Sequence, residues 1–191
     1  MRGQAYTLEA VIASLLLVSS LVFALQVTAV TPLSASTSNQ HIENQQRASA
    51  SGVLTAAEEA GALKEAVLFW NDSAEQYHNA TGQRRYYTSD PPNEFGNITA
   101  RAFDGRGLAV NVLVYHNESE EPSRMVYRGE PSDNAVSASR TVTIYNGSEL
   151  AAPETSTTVE NATSFDEVVP YDGTGGTVYN VVRVEVTVWR M

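Results

Sequence analysis

The sequence contains no cysteine. That excludes a disulfide framework, a thiolate metal site, a cysteine nucleophile and a lipid-modified N-terminal cysteine. Whatever folds here is held by packing alone, and 191 residues suffice for one membrane span plus one modest domain. Positive charge is also scarce. There is one lysine (Lys64) against eleven arginines, and Arg84-Arg85 is the only adjacent basic pair. With a formal net charge of −10, such a surface repels nucleic acid, whose phosphates are bound by clustered Lys and Arg. An acidic, lysine-poor, Ser/Thr/Val-rich chain suits a high-salt environment, where screening removes the self-repulsion that net charge causes.

Catalytic and metal-binding patterns are missing too. His41, His78 and His116 stand alone, with no second His at i+3 or i+4, so no metal site is expected. No Gly-x-Ser-x-Gly elbow and no paired-carboxylate site is evident, and no enzyme activity or cofactor is expected. Gly173-Thr174-Gly175-Gly176 precedes a strand pattern and lacks a following Lys, so it reads as a turn and not a phosphate cradle. Glu160, Asp166, Glu167 and Asp172 lack the regular spacing of a calcium loop and read as a solvated acidic loop.

What is present begins with residues 10–30, a run with no charge, no Pro and no Gly. At about 1.5 Å per residue a helix of this length crosses the roughly 30 Å hydrocarbon core of a bilayer. A secretory signal has a shorter apolar core followed by a small-residue cleavage site, so a membrane anchor is the better expectation. Arg2 and the amino terminus precede the run, and the first basic residue beyond it is Arg47. The positive-inside rule then places the N-terminus in the cytoplasm and the rest outside. The expected organisation is a cytoplasmic segment 1–9, a transmembrane helix 10–31 and an extracellular domain 32–191. Six Asn-x-Ser/Thr sequons, at Asn71, Asn79, Asn97, Asn117, Asn146 and Asn161, all follow the run and are candidate glycosylation sites.

Pro32 predicts an end or a kink of the first helix. A second helical pattern spans about 37–70, with Ile42, Val53, Leu54, Ala57, Ala60, Leu63, Val67 and Trp70 on one stripe and Glu43, Gln46, Glu58, Lys64 and Glu65 opposite. Gly52 and Gly61 in this pattern suggest close packing. Residues 71–92 read as a polar connection. A short amphipathic helix is expected at 93–104, with Phe95, Ile98, Ala102 and Phe103 on one side and Gly105 and Gly107 ending it. Strand patterns follow at Leu108–Tyr115, Arg124–Arg128, Ala135–Tyr145 and Thr177–Trp189. In the last, Val182, Val184, Val186 and Val188 share a face opposite Arg183, Glu185 and Thr187. Residues 146–176 form a long loop. The expected fold is α+β: a long N-terminal helix, broken near Pro32, whose outer half covers an antiparallel sheet of about four strands.

The opening string Arg2-Gly3-Gln4-Ala5-Tyr6-Thr7-Leu8-Glu9-Ala10 places one carboxylate at the mouth of the apolar run, where it is costly unless solvated or paired. This string resembles the start of type IV pilins and pilin-like proteins, in particular the archaeal ones. Arg2-Gly3 looks like their short basic leader and Tyr6-Thr7-Leu8-Glu9 like their mature start. The chain as a whole also resembles haloarchaeal pilin-like proteins of unassigned function, through this opening, Gly129–Val136 and the ending Val184–Met191. The resemblance implies a prepilin-type peptidase cutting between Gly3 and Gln4. It also implies assembly with other pilin-like subunits and the pilus machinery, with Glu9 meeting a neighbour's amino terminus. A cut there makes Glu9 the sixth mature residue, one beyond the position usual in those proteins. Membrane lipid is the remaining expected partner. A non-assembling, single-span ectodomain for binding or sensing is the alternative that the residues leave open.

Overall fold

The computed structural model describes residues 2–80, 85–116, 121–151, 156–173 and 175–191, with side chains described outside 2–5 and 27–39. The chain divides into two units, Met1–Ile42 and Glu43–Met191.

Helix α1 runs from Arg2 to Glu59. Of the end or kink expected at Pro32, the end does not occur, and the helix continues through it. Proline removes one N–H donor and crowds the preceding turn, at about 3 kcal/mol, but the ladder on either side carries the helical backbone across. The interruption comes instead at Gly61, whose φ of 71° is left-handed and separates α1 from α2 (Ala62–Leu68). A Cβ at Gly52 or Gly61 would meet nothing within 4 Å. Neither glycine serves close packing: Gly61 is needed for its backbone conformation, and Gly52 has no such role.

In the second unit the buried residues of α1 are Gln46, Ala50, Val53, Leu54 and Ala57, spaced by four, three, one and three on a single helix face. Gln46 thus lies on the buried stripe and not opposite it, while Ala60 is exposed because the turn at Gly61 takes it off that face. Leu63 and Val67 continue the stripe in α2, and Trp70 is buried in the strand that follows.

The polar connection expected at 71–92 carries structure of its own. Strands β1 (Trp70–Asn71) and β2 (Gln76–Tyr77) form a small antiparallel hairpin. Its aromatic residues point inward, with Trp70 edge-on to Tyr77 at 5.3 Å and Tyr77 tilted against Tyr87 at 5.7 Å. Helix α3 (Glu94–Phe103) forms where predicted. Asn93 caps it by accepting from the Gly96 N–H at 3.0 Å, and Asp104 ends it. Phe95 and Phe103 are fully buried, with Ile98 and Ala102 packed against the same core. Gly96 is the glycine that allows close approach, since a Cβ there would lie 1.8 Å from the Pro91 carbonyl oxygen.

The main sheet has four strands, β3 (Leu108–Tyr115), β4 (Ser123–Val126), β5 (Val136–Tyr145) and β6 (Val178–Arg190), in the order β4-β3-β6-β5 and antiparallel throughout. Register follows the alternation. Val110, Val112 and Val114 pair with Val188, Val186 and Val184, and Val136 and Val142 with Val188 and Val182. Directly opposed residues share a face, so one side of the sheet is a continuous valine surface, buried with Leu54, Ala57, Leu63 and Val67 in a single core. Arg140 lies on this same face. It reaches α1, donating to the Thr55 hydroxyl at 2.9 Å and pairing with Glu58 at 3.3 Å. The other face is polar over much of its area. Where the backbone of Arg128 and Gly129 crosses it, Asn111 is buried and bonds both, donating to the Gly129 carbonyl and accepting from the Arg128 N–H, each at 2.8 Å.

The segment 146–176 is also more ordered than a loop. Two 3-10 turns, Val159–Asn161 and Phe165–Glu167, bury Val159, Phe165, Val168 and Val169 in the core. Its anchor is Asp72, described below.

Candidate functional site: an exposed apolar helix and the surface it carries

Tyr6–Gln26 of α1 is long and apolar enough to cross a membrane, and none of it is buried. At about 1.5 Å per residue its 21 residues span the roughly 30 Å of a hydrocarbon core. Leu15, Leu16, Leu17, Leu21, Phe23 and Leu25 are each more than 60% exposed. A contiguous apolar surface of this kind marks a membrane or protein contact. Its polar groups are handled locally: the Ser14 and Ser20 hydroxyls donate to the Val11 and Leu17 carbonyls at 2.8 and 2.9 Å, the arrangement that makes serine tolerable in lipid. Glu9 is the one charged residue in the segment and is exposed. Gly3 and Gln4, the expected cleavage pair, lie within the α1 backbone, and their side chains fall outside the described ones.

The asparagines of five of the six sequons lie among the described residues, all in the second unit; Asn117, and the threonine of the Asn79 sequon, lie outside them. Asn79 is exposed on a turn with a left-handed φ of 61°. Asn161 is exposed, its side-chain amide donating to Thr158 at 2.7 Å. Asn71 is half-buried and accepts from the Ala74 N–H, while Asn146 is half-buried and donates to the Gly176 carbonyl. Asn97 is exposed and donates to the Glu94 carboxylate at 3.0 Å, but the threonine of its sequon is turned inward. Thr99 is buried, its hydroxyl within hydrogen-bond distance of the Phe95 and Gly96 carbonyls and the Asp90 carboxylate.

The densest polar arrangement was not foreseen. Both carboxylate oxygens of Asp72 accept from the Thr163 N–H at 2.9 Å, and one accepts from the Ser164 N–H at 2.7 Å. The Thr163 and Ser164 hydroxyls each approach the carboxylate at 2.9 Å, and Trp70 Nε1 donates to the Ser164 hydroxyl at 3.0 Å. Burial works to raise the Asp72 carboxyl, but the two N–H groups and the two hydroxyls outweigh it and hold it below its ordinary value. The contact spans some 90 residues of chain and has no local signature in sequence.

Among the described residues no group of three or more His, Asp or Glu is placed to hold a metal ion. Glu160 and Asp166 line a cavity of about 320 Å³ with Tyr171 and Tyr179. Glu167 faces the other way, toward Arg85. The acidic residues of this segment are therefore dispersed.

Residues 2–188 match the family of unknown function DUF7288. The chain belongs to that family. The match takes in the exposed apolar helix and the sheet-bearing unit together, so both are parts of what defines DUF7288. No curated protein and no solved structure matches the chain.

Proposed function

We propose that this DUF7288 chain is a pilin-like, membrane-anchored surface protein: a subunit, and a minor one, of an archaeal type IV pilus-like filament or of the related secretion machinery. The observation that carries the proposal is the 21-residue apolar stretch, exposed along its whole length and bearing one carboxylate, Glu9, near its start. In the membrane the stretch is an anchor, oriented with its N-terminus in the cytoplasm. Drawn out of lipid, it needs another apolar surface, and the same stretch on neighbouring copies provides one. Stacking of identical helices in a head-to-tail register is a heterologous contact that does not close, and so it builds a filament.

Glu9 gives the stacking its register. A carboxylate within a hydrophobic bundle is costly unless neutralised, and the amino terminus of a neighbour, freed by a prepilin-type peptidase cutting between Gly3 and Gln4, supplies the opposite charge. The second unit is then displayed outside, where Asn79, Asn97 and Asn161 are exposed candidate acceptors for glycan.

Mass spectrometry of the mature N-terminus tests the reading directly. A chain beginning at Gln4 is expected; a chain that still carries Met1 and Arg2 excludes processing and leaves a permanently anchored ectodomain. Glu9→Ala separates the two roles of the helix, because assembly into sedimentable polymers is expected to fail while membrane association persists.

A further inference from the structure

A second cavity, of about 250 Å³, lies where the β1–β2 hairpin meets the start of β4. Its inner wall includes Tyr77, whose side chain is fully buried and whose hydroxyl has no hydrogen-bond partner among the described residues. Leaving a buried hydroxyl unmatched is unfavourable, by about 1–3 kcal/mol, so a ligand hydroxyl that reached it would make a bond it now lacks. Two arginines stand at the cavity. Arg124 lies over the Tyr127 ring at 4.2 Å and the Tyr86 ring at 5.9 Å, and has no carboxylate partner among the described residues. The rings hold its plane while leaving its N–H groups available. Arg85 is paired with Glu167 and, at 3.3 Å, with Glu75. Glu121, exposed and without a partner among the described residues, adds acceptors to the same lining.

The charges decide the ligand class. An anion meets Glu121 and Glu167, and a cation meets Arg85 and Arg124. A ligand whose every polar group both donates and accepts satisfies all four, and hydroxyl groups do this. The Tyr86 ring, half-exposed beside Arg124, offers a face for the C–H side of such a ligand. The volume falls below the roughly 300–1,000 Å³ of pockets that engulf drug-sized molecules, and so suits a single ring.

The geometry points to a binding site for a neutral saccharide, one sugar ring seated between Arg124 and Tyr77 with Glu121 accepting from its hydroxyls. The site stands whether or not the chain assembles. It gives the exposed unit an adhesive function toward glycan, and nothing in it requires a metal.

The test uses the full chain in micelles of a detergent with no sugar headgroup. Methyl glucoside, methyl galactoside, methyl mannoside and N-acetylglucosamine are titrated by calorimetry and by saturation-transfer NMR, beside sodium sulfate and arginine methyl ester. At least one sugar is expected to bind with a millimolar or tighter Kd, while sulfate and the arginine ester bind at least tenfold more weakly. Tyr77→Phe is expected to weaken the sugar at least fivefold while leaving the melting temperature unchanged or higher, because it deletes only an unpartnered hydroxyl. Arg124→Gln, at the surface, is expected to weaken it at least tenfold, and Tyr171→Ala in the other cavity to leave it unchanged. The proposal is overturned if no sugar binds, if sulfate or the arginine ester binds more tightly than every sugar, or if sugar binding survives Arg124→Gln and Tyr77→Phe.

Discussion

Asp72 is the residue whose removal tests most of the second unit at once. Its carboxylate receives two backbone N–H groups and two hydroxyls from Thr163 and Ser164, and Ser164 in turn accepts from Trp70. Hydrogen bonds to a charged group contribute about 1.5–3 kcal/mol each. Thr163 is exposed, so its share is discounted for water, whereas Ser164 is 4% exposed and its N–H has little recourse to solvent. Asp72→Ala is therefore expected to destabilise the fold by about 2–4 kcal/mol, and Asp72→Asn, which keeps one acceptor oxygen, by about 1–2 kcal/mol. In urea, with a slope of about 1–3 kcal/mol per molar, the alanine variant should lower the midpoint by about 1–2 M at pH 7.

The sign of the pH dependence follows from the depressed carboxyl. Its stabilisation is complete above the unfolded value, near 3.9, and is lost as pH falls through the lower folded value. The gap between wild type and Asp72→Asn should accordingly stay constant from pH 8 to 5 and close at more acid pH. Tryptophan fluorescence, read in a Trp189→Phe background so that Trp70 alone emits, reports the same event from the other end of the network. A wild-type midpoint for Asp72→Ala at pH 7, or a gap that does not narrow in acid, would refute this account.

Other substitutions probe other joints. Gly96→Ala drives a Cβ into the Pro91 carbonyl at 1.8 Å, backbone against backbone, and should cost more than about 3 kcal/mol in denaturant titration. Leu54→Ala opens a cavity where α1 meets the valine face of the sheet and should cost about 2–5 kcal/mol by the same measurement. Arg140→Met removes a half-exposed ion pair to Glu58 but keeps an aliphatic stem against the core, so its midpoint should fall within about 1 kcal/mol of wild type.

Much of this architecture is legible in the residues themselves, for a physical reason. The strands announce themselves because one face is buried and the other is not, so Val182, Val184, Val186 and Val188 alternate with Arg183 and Glu185. Helix α3 shows its apolar side, Phe95, Ile98, Ala102 and Phe103, whereas its cap, Asn93, emerged only with the structure. The apolar run is visible because lipid demands uniformity over some twenty residues. The features that escaped are those built by contacts distant in sequence. Phe165 and Val169 sit among Ser, Thr and Asp, so no period marks the 3-10 turns that bury them. The β1–β2 hairpin has two residues in each strand, too few for alternation to register. At Pro32 a local rule offered an end or a kink, and the helix does not end there: the cost of one missing hydrogen bond is outweighed by the helix on both sides of it. Gln46 was assigned to solvent by its polarity, although its position, four before Ala50, belongs to the buried stripe.

The way the core is closed bears on what the apolar helix can do. Burial in α1 begins at Gln46 and reaches completion at Ala50, Leu54 and Ala57, while no residue from Tyr6 to Gln26 is buried at all. None of the segment's own side chains is committed to a buried contact, so its surroundings can be exchanged. Hydrocarbon tails and the flanks of like helices are nearly equivalent solvents for Leu, Val and Phe, so the exchange itself is cheap. What distinguishes the two environments is the carboxylate of Glu9. At the start of the segment it reaches headgroup water in a bilayer, whereas among packed helices it requires a partner of opposite charge. Under the function proposed above, a single ionisable group at that position suffices to make passage from membrane to filament depend on the arrival of a correctly placed neighbour.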